Sequence, residues 1–225
     1  MRGASPARRT WTVVVPVKDS RRGKTRLSGA LSPDQRAALV RAMALDTVEA
    51  AATCERVAAV LVVTADRAVA ASVASELPGR TAVVGEPTHT GARSGLDAAV
   101  LAGVAAARRT TCVPVAVLLG DVPALAPADL AEALDAADGV DRGLVTDAAG
   151  TGTTLLTVSG GVDVDPRFGT GSAAAHRALG HRMLEVAAGS TLHQDVDVPE
   201  DLAVAARLRL GARTAALLAF PSTLA

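Results

Sequence analysis

Residues 12–17, Thr-Val-Val-Val-Pro-Val, form an unbroken apolar run rather than an alternating one. That pattern predicts a short strand covered on both faces, as in a parallel sheet. A polar loop follows over 18–31. Ser32-Pro33-Asp34-Gln35 then supplies an N-cap, a proline at the first helical position and a glutamine at the third, the signature of a capping box. The helix started there is expected to run to about residue 53, with Leu39, Val40, Met43, Ala44 and Val48 facing inward. The rhythm continues with a strand over 57–64, a helix over 67–77 ended by Pro78-Gly79, and a strand over 81–84. A loop over 86–94 leads to a helix over 95–109, a strand over 113–119 ending at Gly120-Asp121, and a helix over 127–137. Alternation of this kind predicts a doubly wound α/β sheet.

The pattern changes after residue 140. Residues 143–146 and 153–158 read as two strands joined by the glycine-rich turn 148–152, a small antiparallel addition to a mostly parallel mixed sheet flanked by helices. Gly169-Thr170-Gly171-Ser172 opens a short helix reaching residue 179; 183–187 is a further strand candidate, and a last helix starts at Pro199 and stops near Gly211. Neither a repeat nor a linker divides the chain. Residues 1–10 read as a flexible N-terminus, 11–211 as a single domain, and 212–225 as a tail whose state the pattern leaves open.

Composition narrows the function classes. The 225 residues carry 23 Lys+Arg against 23 Asp+Glu, so no net field draws the chain to nucleic acid or an acidic membrane. One Trp, two Phe and no Tyr leave no aromatic platform for stacking bases. No apolar run approaches the roughly 18 residues of a membrane span, and the short one after the basic N-terminus is no signal peptide. Cys54 and Cys112 are too few for a disulfide framework or a zinc site; they read as buried apolar residues in a reducing, cytoplasmic setting. The only two lysines, Lys18 and Lys24, fall within one seven-residue window after the first strand. A compact ammonium suits a phosphate oxygen, whereas arginine is a bidentate fork.

In open α/β sheets ligands bind beyond the carboxyl ends of the strands, and candidate chemistry gathers there. The loop from Lys18 to Leu27 holds Lys18, Arg21, Arg22, Lys24 and Arg26 with Gly23 among them, a composition suited to a polyphosphate, although it matches neither a Walker A loop nor GxGxxG. A solvated basic loop would look the same. Asp121 ends an apolar strand, where a Mg²⁺ ligand or a turn residue would stand. In Gln194-Asp195-Val196-Asp197-Val198-Pro199, alternate residues of an extended segment point to one side, so Asp195 and Asp197 would present two carboxylates together, an arrangement that a cation relieves. Asp197 could equally cap the helix beginning at Pro199. The glycine-rich segments 151–154 and 169–172 could offer backbone N–H groups to an anion, or be plain turns. His89, His176, His181 and His193 show no zinc spacing and no Ser or Cys nucleophile partner; they read as mostly structural or exposed.

Val-Pro-Val-Lys-x5-Lys-Thr-Arg-Leu at 15–27, Gly-Asp-Val-Pro-Ala-Leu at 120–125, Gly-Thr-Gly-Thr-Thr at 150–154, Arg-Phe-Gly-x-Gly-Ser at 167–172 and Asp-Val-Asp-x-Pro-Glu-Asp-Leu at 195–202 occur in this order. Together they resemble the 2-phospho-L-lactate guanylyltransferase family (CofC in archaea, FbiD in actinobacteria), which makes the activated precursor of the deazaflavin coenzyme F-420. The resemblance runs from about residue 11 to 210. It implies a Rossmann-like nucleotidyltransferase fold of the glycosyltransferase-A type and transfer of GMP from GTP to a phosphorylated three-carbon acid. That acid would be phosphoenolpyruvate, 2-phospho-L-lactate or 3-phosphoglycerate, and the GC-rich residue usage favours the first through an actinobacterial source.

The resemblance implies roles residue by residue. Asp121, Asp195 and Asp197 would hold one or two Mg²⁺ ions, and Thr153, Gly169 and Ser172 would receive the acceptor's carboxylate. Lys18, Lys24 and Arg26 would meet the nucleotide phosphates, and with Asp121 form the catalytic set. Asp97, also expected near the nucleotide, is a departure, because the family usually has an asparagine there. GTP and the acid are the expected partners, with a homodimer allowed and neither nucleic acid nor membrane involved. Two rivals stand beside this reading: another nucleotidylyltransferase of the same fold (cytidylyl, molybdenum-cofactor or sugar-phosphate type), whose glycine-rich opening loop is missing here, or a non-catalytic nucleotide-binding relative.

Overall fold

The computed structural model describes residues 10–18, 31–77, 79–88, 93–109 and 111–219. Lys24, Arg26, His89, the N-terminus before Thr10 and the end of the tail lie outside the described residues. Among the described residues, β1 (Trp11–Val17), β2 (Val57–Thr64), β3 (Thr81–Gly85), β4 (Val115–Leu118), β5 (Arg142–Thr146), β6 (Thr153–Val158) and β7 (Arg182–Met183) form one sheet in the order β3-β2-β1-β4-β6-β5-β7. β1 pairs in parallel with β2 and β4, as β2 does with β3. β6 runs antiparallel to both β4 and β5, which is the predicted antiparallel addition. The fold is thus α/β with a mixed, mostly parallel sheet.

The helices cover both faces, which explains the unbroken apolar strands. α1 (Pro33–Thr53), α2 (Arg67–Glu76) and α4 (Pro127–Ala136) bury Val48, Val69, Leu130 and Leu134 against Val13, Val15, Val60 and Val62. α3 (Gly95–Ala107) covers the other face, with Val100 and Val104 on Val14, Val63 and Val117. Gly103 lets α3 approach closely: a methyl there would collide with Val14 and stand 2.8 Å from Val63 Cγ2. The α1 start is the predicted capping box, with Ser32 and Gln35 exchanging bonds.

Pro16 makes the pairing of β1 asymmetric. Trp11 N–H donates toward β2 and Thr12 N–H toward the start of β4. By alternation Pro16, which has no N–H, faces the β4 side. Pairing with β2 continues to Val17↔Thr64, whereas pairing with β4 stops at Val14↔Val117. The ladder therefore parts at the carboxyl ends of β1 and β4, where the chain order reverses and a crevice is expected.

Several expectations need correction. The strand predicted over 183–187 is only the two residues of β7, parallel to β5. Cys54 is buried but Cys112 is exposed. α6 (Pro199–Arg207) is shorter than predicted and is not capped by Asp197: Asp201 Oδ2 accepts the N–H groups of Asp197 and Val198, both at 2.9 Å. Part of the tail is ordered as α7 (Ala212–Ala219), which packs on α1. Asp46 of α1 accepts Arg213 N–H at 3.1 Å and Thr214 N–H at 2.7 Å, capping α7 from a distant helix.

Candidate active site

Lys18 follows β1 directly and is exposed, while Asp121 lies three residues beyond β4. Only the ladder ends here, for Gly120 still lies against the end of β1: a methyl on it would stand 3.2 Å from Val17 Cγ2 and 3.4 Å from the Pro16 carbonyl. Asp195 and Asp197 arrive from a distant segment anchored on both sides. Val196 N–H donates to Asp121 O at 3.0 Å, and the Val196 side chain is buried with Leu39, Met43, Ala124 and Ala205. Burial of the middle residue turns the two carboxylates out together, as alternation predicts. Upstream, Asp129 of α4 accepts from both the backbone and the hydroxyl of Thr191 at 2.6 Å, and His193 contacts Thr146 O at 2.8 Å.

The outcome is a cluster in which Asp121, Asp195 and Asp197 each offer an oxygen, all within 4.8 Å of one another. Such a set of hard oxygen donors fits Mg²⁺, Ca²⁺ or Mn²⁺ and is foreign to soft-ligand metals.

Across β4, Leu119 N–H donates to Thr154 O at 3.0 Å, so Thr153 begins β6 at the same end of the sheet as Asp121. Asp147 shapes the preceding glycine turn by accepting Thr151 N–H at 2.9 Å and Gly152 N–H at 2.8 Å. Thr153 and Ser172, the first residue of α5 (Ser172–Ala178), are buried with their hydroxyl oxygens 3.2 Å apart. Gly169 is exposed beside them with φ 123°, a backbone conformation that glycine alone adopts readily.

Two buried side chains clamp the segment entering Gly169. Asp97 Oδ1 accepts Phe168 N–H, and His176 Nε2 accepts Arg167 N–H, both at 3.0 Å. Asp97 thus commits at least one oxygen to the loop. Burial, then repulsion from His181, pushes His176 down from 6.5 to about 4, against the pull of Asp97 and Asp165. Asp165 is held below the usual carboxylate range by its hydrogen bond from Arg93, helped by Arg167.

The structure therefore brings Asp121, Asp195 and Asp197 together, joins Thr153 to Ser172 beside Gly169, sets Lys18 at the neighbouring strand end, and ties Asp97 to the loop. His176 was missed by the sequence reading. Its spacing of four from Ser172 was the available signal, since such residues share a helix face.

The order and pairing of this sheet define a class, the nucleotide-diphospho-sugar transferase fold. A crystal structure described as a nucleotide-diphospho-sugar transferase from Desulfovibrio desulfuricans superposes with a TM-score of 0.70 at 18% identity, covering 95% of each chain. That of 4-diphosphocytidyl-2C-methyl-D-erythritol synthase gives 0.57 at 16% identity, covering 89% of this chain and 98% of the other. Sequence narrows the class: residues 11–205 match the family model described as "Guanylyl transferase CofC like", and the chain belongs to that family. Phosphoenolpyruvate guanylyltransferase of Sanguibacter keddieii is 48% identical over 93% of this chain and 84% of its own. The proteins of the same name from Thermomonospora curvata and Streptomyces coelicolor are 44% and 45% identical, each over 93% of this chain and 89% and 96% of theirs.

Proposed function

We propose that this protein transfers GMP from GTP to phosphoenolpyruvate with release of pyrophosphate, a cytoplasmic step of coenzyme F-420 biosynthesis. The observation that carries the reading is the carboxylate cluster of Asp121, Asp195 and Asp197 at the parting of β1 and β4, on the sheet end that also bears Lys18 and Thr153. The names of the relatives supply the acceptor and the nucleotide. No helix among the described residues is long and apolar enough to cross a membrane.

An acceptor phosphate oxygen attacks the α-phosphorus of GTP; a phosphorus–oxygen bond forms as the bond to the β-phosphate bridge breaks, and pyrophosphate leaves. Both reactants are anions, so the barrier lies in repulsion and positioning. Asp121, Asp195 and Asp197 would hold Mg²⁺, which when bound supplies positive charge to the meeting phosphate oxygens. Lys18, Lys24 and Arg26 neutralise the nucleotide phosphates and the departing pyrophosphate. Thr153, Ser172 and Gly169 receive the carboxylate of the acid. The acceptor phosphate is already ionised, so no protein nucleophile or strong general base is needed. Asp97 meets the nucleotide only through what its bond to Phe168 leaves available.

Pyrophosphate release by purified protein with Mg·GTP, assayed separately with phosphoenolpyruvate, 2-phospho-L-lactate and 3-phosphoglycerate, tests the reading. Release with phosphoenolpyruvate is the expected result. Silence with all three acids from folded protein overturns it.

A further inference from the structure

His176 stands one turn after Ser172 in α5, fully buried, with its ring edge-to-face against Phe168 at 5.0 Å between centroids. Its two nitrogens face different partners. Nε2 lies 3.0 Å from Arg167 N, and a backbone N–H can only donate. Nε2 therefore carries the lone pair, and in the neutral ring the proton sits on Nδ1. The groups facing the ring favour neutrality on balance: burial and His181 oppose protonation, while Asp97 and Asp165 favour it more weakly. Nδ1–H accordingly donates to Thr153 Oγ1 at 3.0 Å.

The proton count has a chemical outcome. His176 Nδ1–H, the Thr153 hydroxyl and the Ser172 hydroxyl bring three protons to two contacts, His176–Thr153 at 3.0 Å and Thr153–Ser172 at 3.2 Å. Whichever hydroxyl donates to the other, one hydroxyl proton remains, and it matches an anionic acceptor. With the opposite tautomer Thr153 would have to donate to the ring, and Ser172 to Thr153, leaving no proton over.

We infer that His176 is a positioning residue of the acceptor site: its Nδ1–H occupies Thr153, so that the Thr153–Ser172 pair presents a hydroxyl proton to the carboxylate of the acid. The inference rests on the proposed role of Thr153 and Ser172 as carboxylate receivers. Its test separates the two.

Pyrophosphate release is measured at saturating GTP with varied phosphoenolpyruvate, and the converse, for wild type, His176→Asn, His176→Gln and Thr153→Val. An asparagine amide can stand in for Nδ1–H, whereas a glutamine amide reaches the Nε2 position and keeps only the contact to Arg167. His176→Gln still leaves one hydroxyl proton over but removes the donor that fixes Thr153 Oγ1, so the pair is no longer oriented. It is expected to raise KM for phosphoenolpyruvate about tenfold with KM for GTP within about twofold, and His176→Asn to stay within about threefold of wild type. Thr153→Val should resemble His176→Gln. If Thr153→Val is impaired and His176→Gln is not, the inference fails while the carboxylate site stands. If neither is impaired, the carboxylate site fails and takes the inference with it. A milder effect for His176→Gln than for His176→Asn, or equal loss toward both substrates, marks a purely structural ring and overturns the proposal. Wild-type protein with ¹⁵N-labelled histidine gives a readout that needs no variant to fold: His176 should show the Nδ1–H tautomer at pH 7, with its Nδ1 signal moving on addition of phosphoenolpyruvate. An Nε2–H tautomer overturns the proposal.

Discussion

A carboxylate and its amide differ by one charge and almost no volume, so aspartate-to-asparagine changes separate electrostatics from architecture. Asp121→Asn removes charge from the cluster but leaves Asp121 O free to accept from Val196 N–H. It is expected to melt within a few degrees of wild type and to lose about 10²-fold or more in turnover; wild-type turnover would remove Asp121 from the metal set. Asp97 makes the opposite case. Asparagine there keeps an oxygen for Phe168 N–H, so Asp97→Asn should be close to neutral in denaturant unfolding, while Asp97→Ala strands a buried N–H and should cost about 1–3 kcal/mol. KM for GTP measured on Asp97→Asn then reports whether the residue also touches the nucleotide.

Elements built from local chemistry were legible in the sequence; those built from distant partners were not. The start of α1 needs only Ser32, Pro33 and Gln35, all within four successive positions. The pairing of Asp195 with Asp197 follows from strand alternation around Val196, although nothing in that alternation shows that Asp121 would meet them. α7 is the contrary case. Its first N–H groups are held by Asp46, some 168 positions earlier for Thr214, and the Arg213 guanidinium reaches Glu49 and Glu76. His176 was hidden likewise, since its two bonds go to β6 and to the loop before Gly169. Removing the distant cap should therefore act locally. Asp46→Ala is expected to cost about 1–2 kcal/mol and to open the chain to protease near residues 208–212 before the sheet yields. Cleavage at the wild-type rate would show α7 to be held by its apolar contacts alone.

At the scale of the whole molecule, pH tests how firmly the buried histidines are enclosed. His176 falls from 6.5 in the unfolded chain to about 4 when folded, and burial lowers His181 as well, against its bond to Gly143 O. The unfolded chain then binds more protons between these values. The stability contributed by a neutral ring is complete above about pH 6.5 and is lost progressively as pH falls toward 4. Denaturant midpoints measured from pH 7.5 to 4.5 should fall with acidity, and His176→Asn should flatten that fall. An unchanged slope in the variant would mean the ring is not desolvated as the structure has it.

The central place of β1 bears on how the chain is made. As the chain emerges from the ribosome β1 needs two neighbours, and the nearer in sequence, β2, begins at Val57. Its other edge waits for β4, which ends at Leu118. At about 5–20 residues per second the interval is several seconds, during which an apolar strand has an open edge. Pro16 interrupts that same edge. A residue that ends the β1–β4 ladder in the finished protein also denies a stray chain a complete ladder while the protein is being born.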